Sequence, residues 1–309
     1  MSPDAAARRR RRGRWLGAVF GVAIVALLLW AATHVDWDQV GDALRQLPAR
    51  VLLAAAGLCA LSHLIYSGYD LIGKYWAHHT VPTRRVMLIT FISYAFNLNL
   101  GSLVGAIAMR LRLYAREGLK QPIPTQVLGL SLATNWLGYG VLAGGLLMAG
   151  RLAPPPEWPI GAVALRGVGA LMWVAVIGYV ATCAFAQGRS FSVRGHDVVV
   201  PGPRIALMQI VISAANWMAM GAIVWVLLRQ GVPYAEVLAV LLAAAVAGAV
   251  THVPAGLGVL EGVFVALLGP SLGHGQVLAA LIAYRALYYI GPLLLASGAY
   301  FVLEARARR

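Results

Sequence analysis

Eight apolar segments, separated by short connections, leave this chain of 309 residues almost no way to fold in water. They run 15–33, 51–72, 86–109, 125–150, 161–185, 205–228, 237–268 and 277–303. A helix needs about 20 apolar residues to cross the hydrocarbon of a bilayer, and most of these segments reach that length. The chain is 60% hydrophobic and only 12% charged, against about 25% charged in soluble domains. The bilayer must be the solvent for most of its surface. The connections leave no room for a soluble domain, so residues 1–309 read as a single transmembrane domain with a basic tail over residues 1–14.

Charge then sets the orientation. Lys plus Arg exceed Asp plus Glu by 25 − 11 = 14. Such a balance suits nucleic acid, but the placement argues otherwise. Six arginines lie between Arg8 and Arg14, and others cluster at Arg84 and Arg85, from Arg110 to Lys120, from Arg189 to Arg204 and from Arg306 to Arg309, always flanking apolar segments. Basic residues held on the cytoplasmic side and drawn to anionic lipid give this pattern, and no nucleic-acid partner is expected. The segment 15–33 is longer than the apolar core of a cleaved signal and reads as a signal anchor. Cys59 and Cys183 both sit inside apolar runs, so neither a disulfide framework nor a cysteine metal site is expected.

Two segments are abnormal. Residues 86–109 are interrupted by Asn97-Leu98-Asn99-Leu100-Gly101-Ser102, and residues 237–268, too long for one span, by Thr251-His252-Val253-Pro254-Ala255-Gly256. Helix breaks release backbone polar groups, which a membrane tolerates only where protein or a wet cavity receives them. If residues 86–109 crossed the membrane once, the basic stretch Arg110 to Lys120 would fall outside. If each broken segment is a re-entrant hairpin, every major basic cluster is cytoplasmic. The expected fold is therefore an all-α integral membrane protein of the cytoplasmic (inner) membrane, with about six full spans, two re-entrant helical hairpins and both termini cytoplasmic. Each half, about 15–150 and 161–303, then reads span, span, hairpin, span from opposite faces. This is an inverted-topology repeat, in which broken segments mark the binding site.

Pro254 and Gly256 predict a half-helix starting near Leu257, with its free N–H groups near mid-membrane as an anion site. Ser102 is placed to N-cap the corresponding half-helix of the first hairpin. Glu261 falls in the first turns after the second break, and Arg285 lies roughly 12 Å into the last segment at about 1.5 Å per residue. Charges at such depth are costly and mark function, and the two also suit a structural ion pair. The expected substrate-binding set is Arg285, Glu261, Gly256, Gly258, Asn97, Asn99, Ser102, His252, Arg110 and Tyr284, with no catalytic residue, metal or cofactor. Against a ligand role, Asn97, Asn99 and His252 suit hydrogen bonds within their own hairpin apex. Arg110 and Arg112 suit snorkelling to lipid phosphates. Asp70 and Lys74, four apart, suit an intrahelical pair, and Asn135 and Asn216 suit helix–helix contacts.

The run Val253-Pro254-Ala255-Gly256-Leu257-Gly258-Val259-Leu260-Glu261-Gly262 resembles the P-G-G-L-G-x-x-E signature of the lysylphosphatidylglycerol synthase transmembrane-region family, with Ala255 where glycine is common. Tyr94 to Gly101, Arg110 and Tyr114 to Gly118 are similar to that family's other motif, and Tyr284-Arg285 followed by Pro292 to its last span. The likeness runs over nearly the whole chain. It implies the lipid-translocating half of such proteins without the soluble aminoacyl-transfer domain. The expected function is a flippase-like translocator of a phospholipid or another lipid-linked anionic amphiphile. Its partners would be membrane phospholipids through an anionic headgroup, with a separate lipid-modifying enzyme as a further one. A polyprenyl-phosphate-dependent glycosyltransferase is the competing enzyme reading, on Asp36-Trp37-Asp38 in the first outer loop. Against it, Asp38 is placed to N-cap the amphipathic stretch 39–47, and the outer loops are too short for an acceptor site. A lipid-binding accessory subunit that moves nothing is the third reading.

Overall fold

The computed structural model describes residues 37–152, 161–193, 196–251 and 256–307, with Val22 and Ala26. The first apolar segment, Asp36, most of the proline-rich loop and residues His252 to Ala255 lie outside the described residues. The chain divides at Asp42 into two units. Helix α1 (Trp37–Arg45) lies across that division, and Asp38 sits inside its first turn instead of capping it.

The second unit is built almost wholly of helices, and prolines open several of them. Pro48 precedes α2 (Ala49–Ser67), which continues through Gly68 into α3 (Tyr69–Ala77). Pro82 precedes α4 (Thr83–Leu100). A π-helical segment, Leu103–Met109, leads directly into α5 (Arg110–Arg116). Pro122 precedes α6 (Ile123–Met148), and α7 is Ala162–Phe185. Pro203 opens α8 (Pro203–Leu227), followed by α9 (Tyr234–Thr251), α10 (Val259–Leu272) and α11 (His274–Tyr284). A second π-helical segment, Arg285–Ile290, joins α11 to α12 (Gly291–Ala307). At the first helical position proline gives up only an N–H that has no partner there anyway. Among the described residues the departure from helix is a short antiparallel pair, β1 (Ser190–Val193) and β2 (His196–Val199), with Ser190 opposite Val199. It lies in the basic connection between α7 and α8.

Among the described residues six helical stretches are long and apolar enough to cross a membrane: Ala49–Ala77, Ile123–Met148, Ala162–Phe185, Pro203–Leu227, Tyr234–Thr251 and His274–Arg306. Small residues let them approach closely. A Cβ on Gly138 would lie 2.4 Å from the backbone nitrogen of Ala214, and one on Gly169 would lie 2.7 Å from the carbonyl oxygen of Gly144. Polar links order the bundle. Gln209 of α8 donates to Leu130 O and Thr134 Oγ1 of α6, and further along both helices Trp217 donates to Asn135 O, so α6 and α8 run parallel. Ser62 of α2 bonds Asn216, while Ile212 crowds Gly68, so α2 runs against α8. Asn216 thus joins two helices, as its isolation in an apolar segment implied.

Both broken segments fold back on themselves, with their mouths at opposite ends of this bundle. The first pair, α4 against the π segment and α5, is closed at its mouth by Arg85 and Glu117, 3.9 Å apart. Lys74 Nζ donates to Thr83 there, and Arg112 and Arg116 meet Glu304 of α12. The second pair, α9 against α10, opens where Tyr234 donates to Met218 O and Gln276 to Leu228 O, at the far end of α8. Glycines make the folding-back possible. Gly101 turns the first apex with φ +82°, and a Cβ on Gly105 would lie 2.0 Å from the backbone nitrogen of Asn97. Gly105→Ala therefore forces the arms apart and lowers thermal stability in detergent by about 1–3 kcal/mol. Gly129→Ala, where a Cβ meets nothing within 4 Å, leaves melting unchanged. Equal melting of the two variants contradicts this packing.

Candidate functional site

The two apices meet at one cavity of about 530 Å³. Asn97, Leu98, Ser102 and Ala106 line it from the first pair, and Gly248, Ala249, Gly256 and Leu260 from the second. Tyrosines and tryptophans supply much of the remaining wall, among them Tyr66, Tyr94, Trp136, Tyr139, Trp217, Tyr284 and Tyr289. Tyr284 is fully buried, and its hydroxyl has no hydrogen-bond partner among the described residues. A second, almost wholly apolar cavity of about 710 Å³ lies between α6, α7 and α9 and shares Trp136 and Tyr139 with the first.

Beside the cavity, Arg285 and Glu261 form a two-pronged ion pair. Arg285 Nε donates to Glu261 Oε1, and Nη2 donates to Oε2 at 3.0 Å. Nη2 also donates to the carbonyl of Gly256 at 3.0 Å, while the Gly258 N–H donates to Glu261 Oε2 at 3.0 Å. The pair therefore occupies the polar groups that the helix break releases. Gly256 and Gly258 have φ of +57° and +76°, backbone that side chains rarely adopt, which accounts for glycine at both positions. Helix α10 starts at Val259, two residues after the expected start. The Arg285 guanidinium also lies 5.4 Å from the centre of the Tyr289 ring. Arg285 and Glu261 do not line the cavity themselves. Gly256, Leu260, Tyr284 and Tyr289, adjoining or bonded to them, do.

The other expected site residues divide. Asn97 and Ser102 face the cavity. Ser102 has helical backbone angles and makes no capping bond, so its expected role as an N-cap is incorrect. The π-helical turn that follows receives the chain without it. Asn99 donates to Ala95 O and to Tyr289 O at 3.1 Å, tying the first apex to the last span. His252 lies outside the described residues. Arg110 neither snorkels nor reaches the cavity. It is fully buried, with Nε 3.3 Å from Asp70 Oδ2. Asp70 correspondingly pairs with Arg110 and accepts from the Tyr114 hydroxyl, while Lys74 bonds Thr83, so the expected Asp70–Lys74 pair is not made. Of the aromatic wall Tyr284 was expected and the rest was missed, because tyrosine and tryptophan in apolar segments also suit ordinary packing. The Asn135 backbone carbonyl joins α6 to α8, and the residue also lines the cavity.

Removing one member of a buried ion pair strands the other charge, at about 3 kcal/mol. The Arg285 and Glu261 side chains are only 13% and 19% exposed, close to that limit. Glu261→Ala should lower the melting temperature more than the double variant Glu261→Ala/Arg285→Met, in which no charge is stranded. A double variant less stable than the single one contradicts the pairing.

Residues 18–296 match the family model described as lysylphosphatidylglycerol synthase TM region. The inner membrane protein YbhN of Escherichia coli K12 is 47% identical over 298 residues, covering 96% of this chain and 92% of that protein. The uncharacterized protein slr0712 of Synechocystis is 27% identical over 95% of this chain and 93% of its own length. A phosphatidylglycerol lysyltransferase of Staphylococcus haemolyticus is 24% identical over 90% of this chain but only 32% of that protein. With a family match over most of its length and a relative that is an inner membrane protein, this multi-pass chain belongs to the lysylphosphatidylglycerol synthase transmembrane-region family.

Proposed function

We propose that the protein moves a phospholipid, or another lipid-linked anionic amphiphile, between membrane leaflets, the headgroup passing through the cavity at which the two broken helix pairs meet. One observation carries this reading: apices arriving from opposite ends of the bundle line a single cavity with polar groups in its wall, beside the Arg285–Glu261 pair. In this reading the pairs are re-entrant hairpins and correspond to each other in an inverted-topology repeat. Both termini and the mouth of α4 and α5 are cytoplasmic, and Leu228 to Tyr234 and the end of α10 face outward. Broken helices in corresponding places, with buried polar groups between them, are the build of an alternating-access carrier.

The chemistry fits a phosphate-bearing headgroup. Arginine offers a planar fork of donors that matches a phosphate, and low local dielectric strengthens the attraction. Glu261 holds that fork while the site is empty. An arriving anion replaces the carboxylate, so the arginine is never left unpaired in the membrane. The apolar cavity along α7 gives an acyl chain a place beside the headgroup. One relative is named a phosphatidylglycerol lysyltransferase, which makes phosphatidylglycerol the first lipid to try and a separate lipid-modifying enzyme a partner to seek. No transfer of a sugar or an amino acid is expected of this chain.

Two experiments test the reading. Single cysteines at Glu117 should label only from the cytoplasm, and those at Tyr234 and Gly273 only from outside. Outside labelling at Glu117 contradicts the re-entrant arrangement. In proteoliposomes, fluorescent headgroup-labelled phosphatidylglycerol should cross at a rate that Arg285→Ala abolishes and Arg285→Lys restores only in part, since lysine lacks the planar fork. Asp38→Ala should leave the rate unchanged. A wild-type rate equal to that of empty liposomes rejects translocation, and a total loss of activity in folded Asp38→Ala favours the glycosyltransferase.

A further inference from the structure

A second buried charge pair lies away from the cavity, and its hydrogen bonding is incomplete. Asp70 and Arg110 are both fully buried. Arg110 Nε lies 3.3 Å from Asp70 Oδ2, which also accepts from the Tyr114 hydroxyl at 2.8 Å. Among the described residues Asp70 Oδ1 accepts no hydrogen bond, and Arg110 Nε and Nη2 make none that is well aligned. Among the described residues both ring nitrogens of His79 are likewise buried and unpartnered. A buried ion pair is stable only when its remaining lone pairs and protons are satisfied. A carboxylate oxygen and imidazole nitrogens lying near one another are groups that take up and release protons.

The surroundings supply a route. His79 lies in the connection between α3 and α4, at the basic end, and its ring packs edge-on to Tyr114 at 5.8 Å. Tyr114 reaches Asp70. On the cavity side, Tyr66 of α2 is within electrostatic reach of both Asp70 and Arg110 and stacks on Tyr94 at 3.5 Å. Tyr66 and Tyr94 both line the cavity. Imidazole and hydroxyl groups each accept and donate a proton, and these side chains lie in succession between the basic end and the cavity, Tyr114 hydrogen-bonded to Asp70 and the others in ring contact. The charges facing Asp70 are Arg110 and, one turn along its own helix, Lys74. The titratable groups around it are Tyr66, Tyr69, Tyr114 and His79. The uncharged Thr90 of α4, Ser131 of α6, and Ser213 and Asn216 of α8 face these tyrosines. Burial, assisted by Lys74, pushes the His79 ring below its ordinary value against the opposing pull of Asp70, so it is neutral near pH 7.

We propose that Asp70 is a proton-coupling carboxylate, charged from the basic end by way of His79 and discharged toward the cavity through Tyr66 and Tyr94. One proton leaves water at one face, resides on Asp70 Oδ1 and returns to water at the other, and no other reactant is consumed. While Asp70 is ionised, it neutralises Arg110. Once protonated, it leaves the Arg110 charge uncompensated, so proton uptake favours an anion nearby and an anion favours proton uptake. Only the identity of the coupled cargo rests on the translocator reading. Proton binding by Asp70 does not.

Infrared difference spectroscopy of the intact protein in nanodiscs reads the proton directly. Lowering the pH should raise a protonated-carboxyl band that Asp70→Asn abolishes. If that variant misfolds because Arg110 is stranded, the double variant Asp70→Asn/Arg110→Gln, which removes both charges, serves instead. A missing band in the wild type, or one that survives in the variant, overturns the proposal whatever the lipid does. In proteoliposomes with labelled phosphatidylglycerol, a gradient of one pH unit should sustain up to about tenfold lipid asymmetry for one proton per lipid. That asymmetry should vanish in Asp70→Asn. Lipid movement that ignores the gradient overturns the coupling and leaves the translocator standing. No lipid movement at any gradient overturns both.

Discussion

The structure turns on six residues of the last span. Between Arg285 and Ile290 the helix loosens into a π turn, and this short stretch holds the apices of both broken pairs. Arg285 grips Glu261 and the Gly256 carbonyl of the second pair. The Tyr289 carbonyl accepts from Asn99 of the first. Tyr288 bonds Tyr94 of α4 and Ser62 of α2. Each contact answers the same constraint, that a backbone or side-chain polar group away from water must find a protein partner. The π turn is where such partners are available, because its own backbone is released from regular α-helical bonding. Any movement that opens one apex must exchange these contacts, which makes the last span the natural fulcrum of the proposed transport.

Much of this was legible in the chain because membranes simplify the reading. Apolar length located the helices. Paired Asn97 and Asn99 before Gly101, and Pro254 with Gly256, marked both places where helices stop, since few residue types interrupt a membrane helix. The basic clusters separated one end of the bundle from the other. Arg285 and Glu261 were conspicuous as isolated charges in apolar surroundings, and a charge without water needs a partner.

What the sequence hid was long-range pairing. Asp70 and Arg110 each had a nearer explanation, Asp70 in Lys74 four residues on and Arg110 in the lipid surface, and local rules favour near partners. Packing prevailed because α3 and the start of α5 lie side by side, and Tyr114 sits there to donate to the carboxylate. Ser102 failed as a cap for a related reason: the chain enters a π turn after Gly101, so no ordinary helix start exists to be capped. The tyrosines of the cavity wall carried no pattern that separates lining from packing.

The account stands or falls on whether the cavity receives a lipid headgroup. Phosphatidylglycerol carrying a photoreactive group on its headgroup, added to the protein in native-like bilayers, reads this directly. The account predicts crosslinks on the cavity wall, at Asn97, Ser102 or Tyr284, that unlabelled phosphatidylglycerol competes away and that Arg285→Ala removes. Crosslinks confined to the outer faces of the bundle, unchanged by Arg285→Ala, would contradict it.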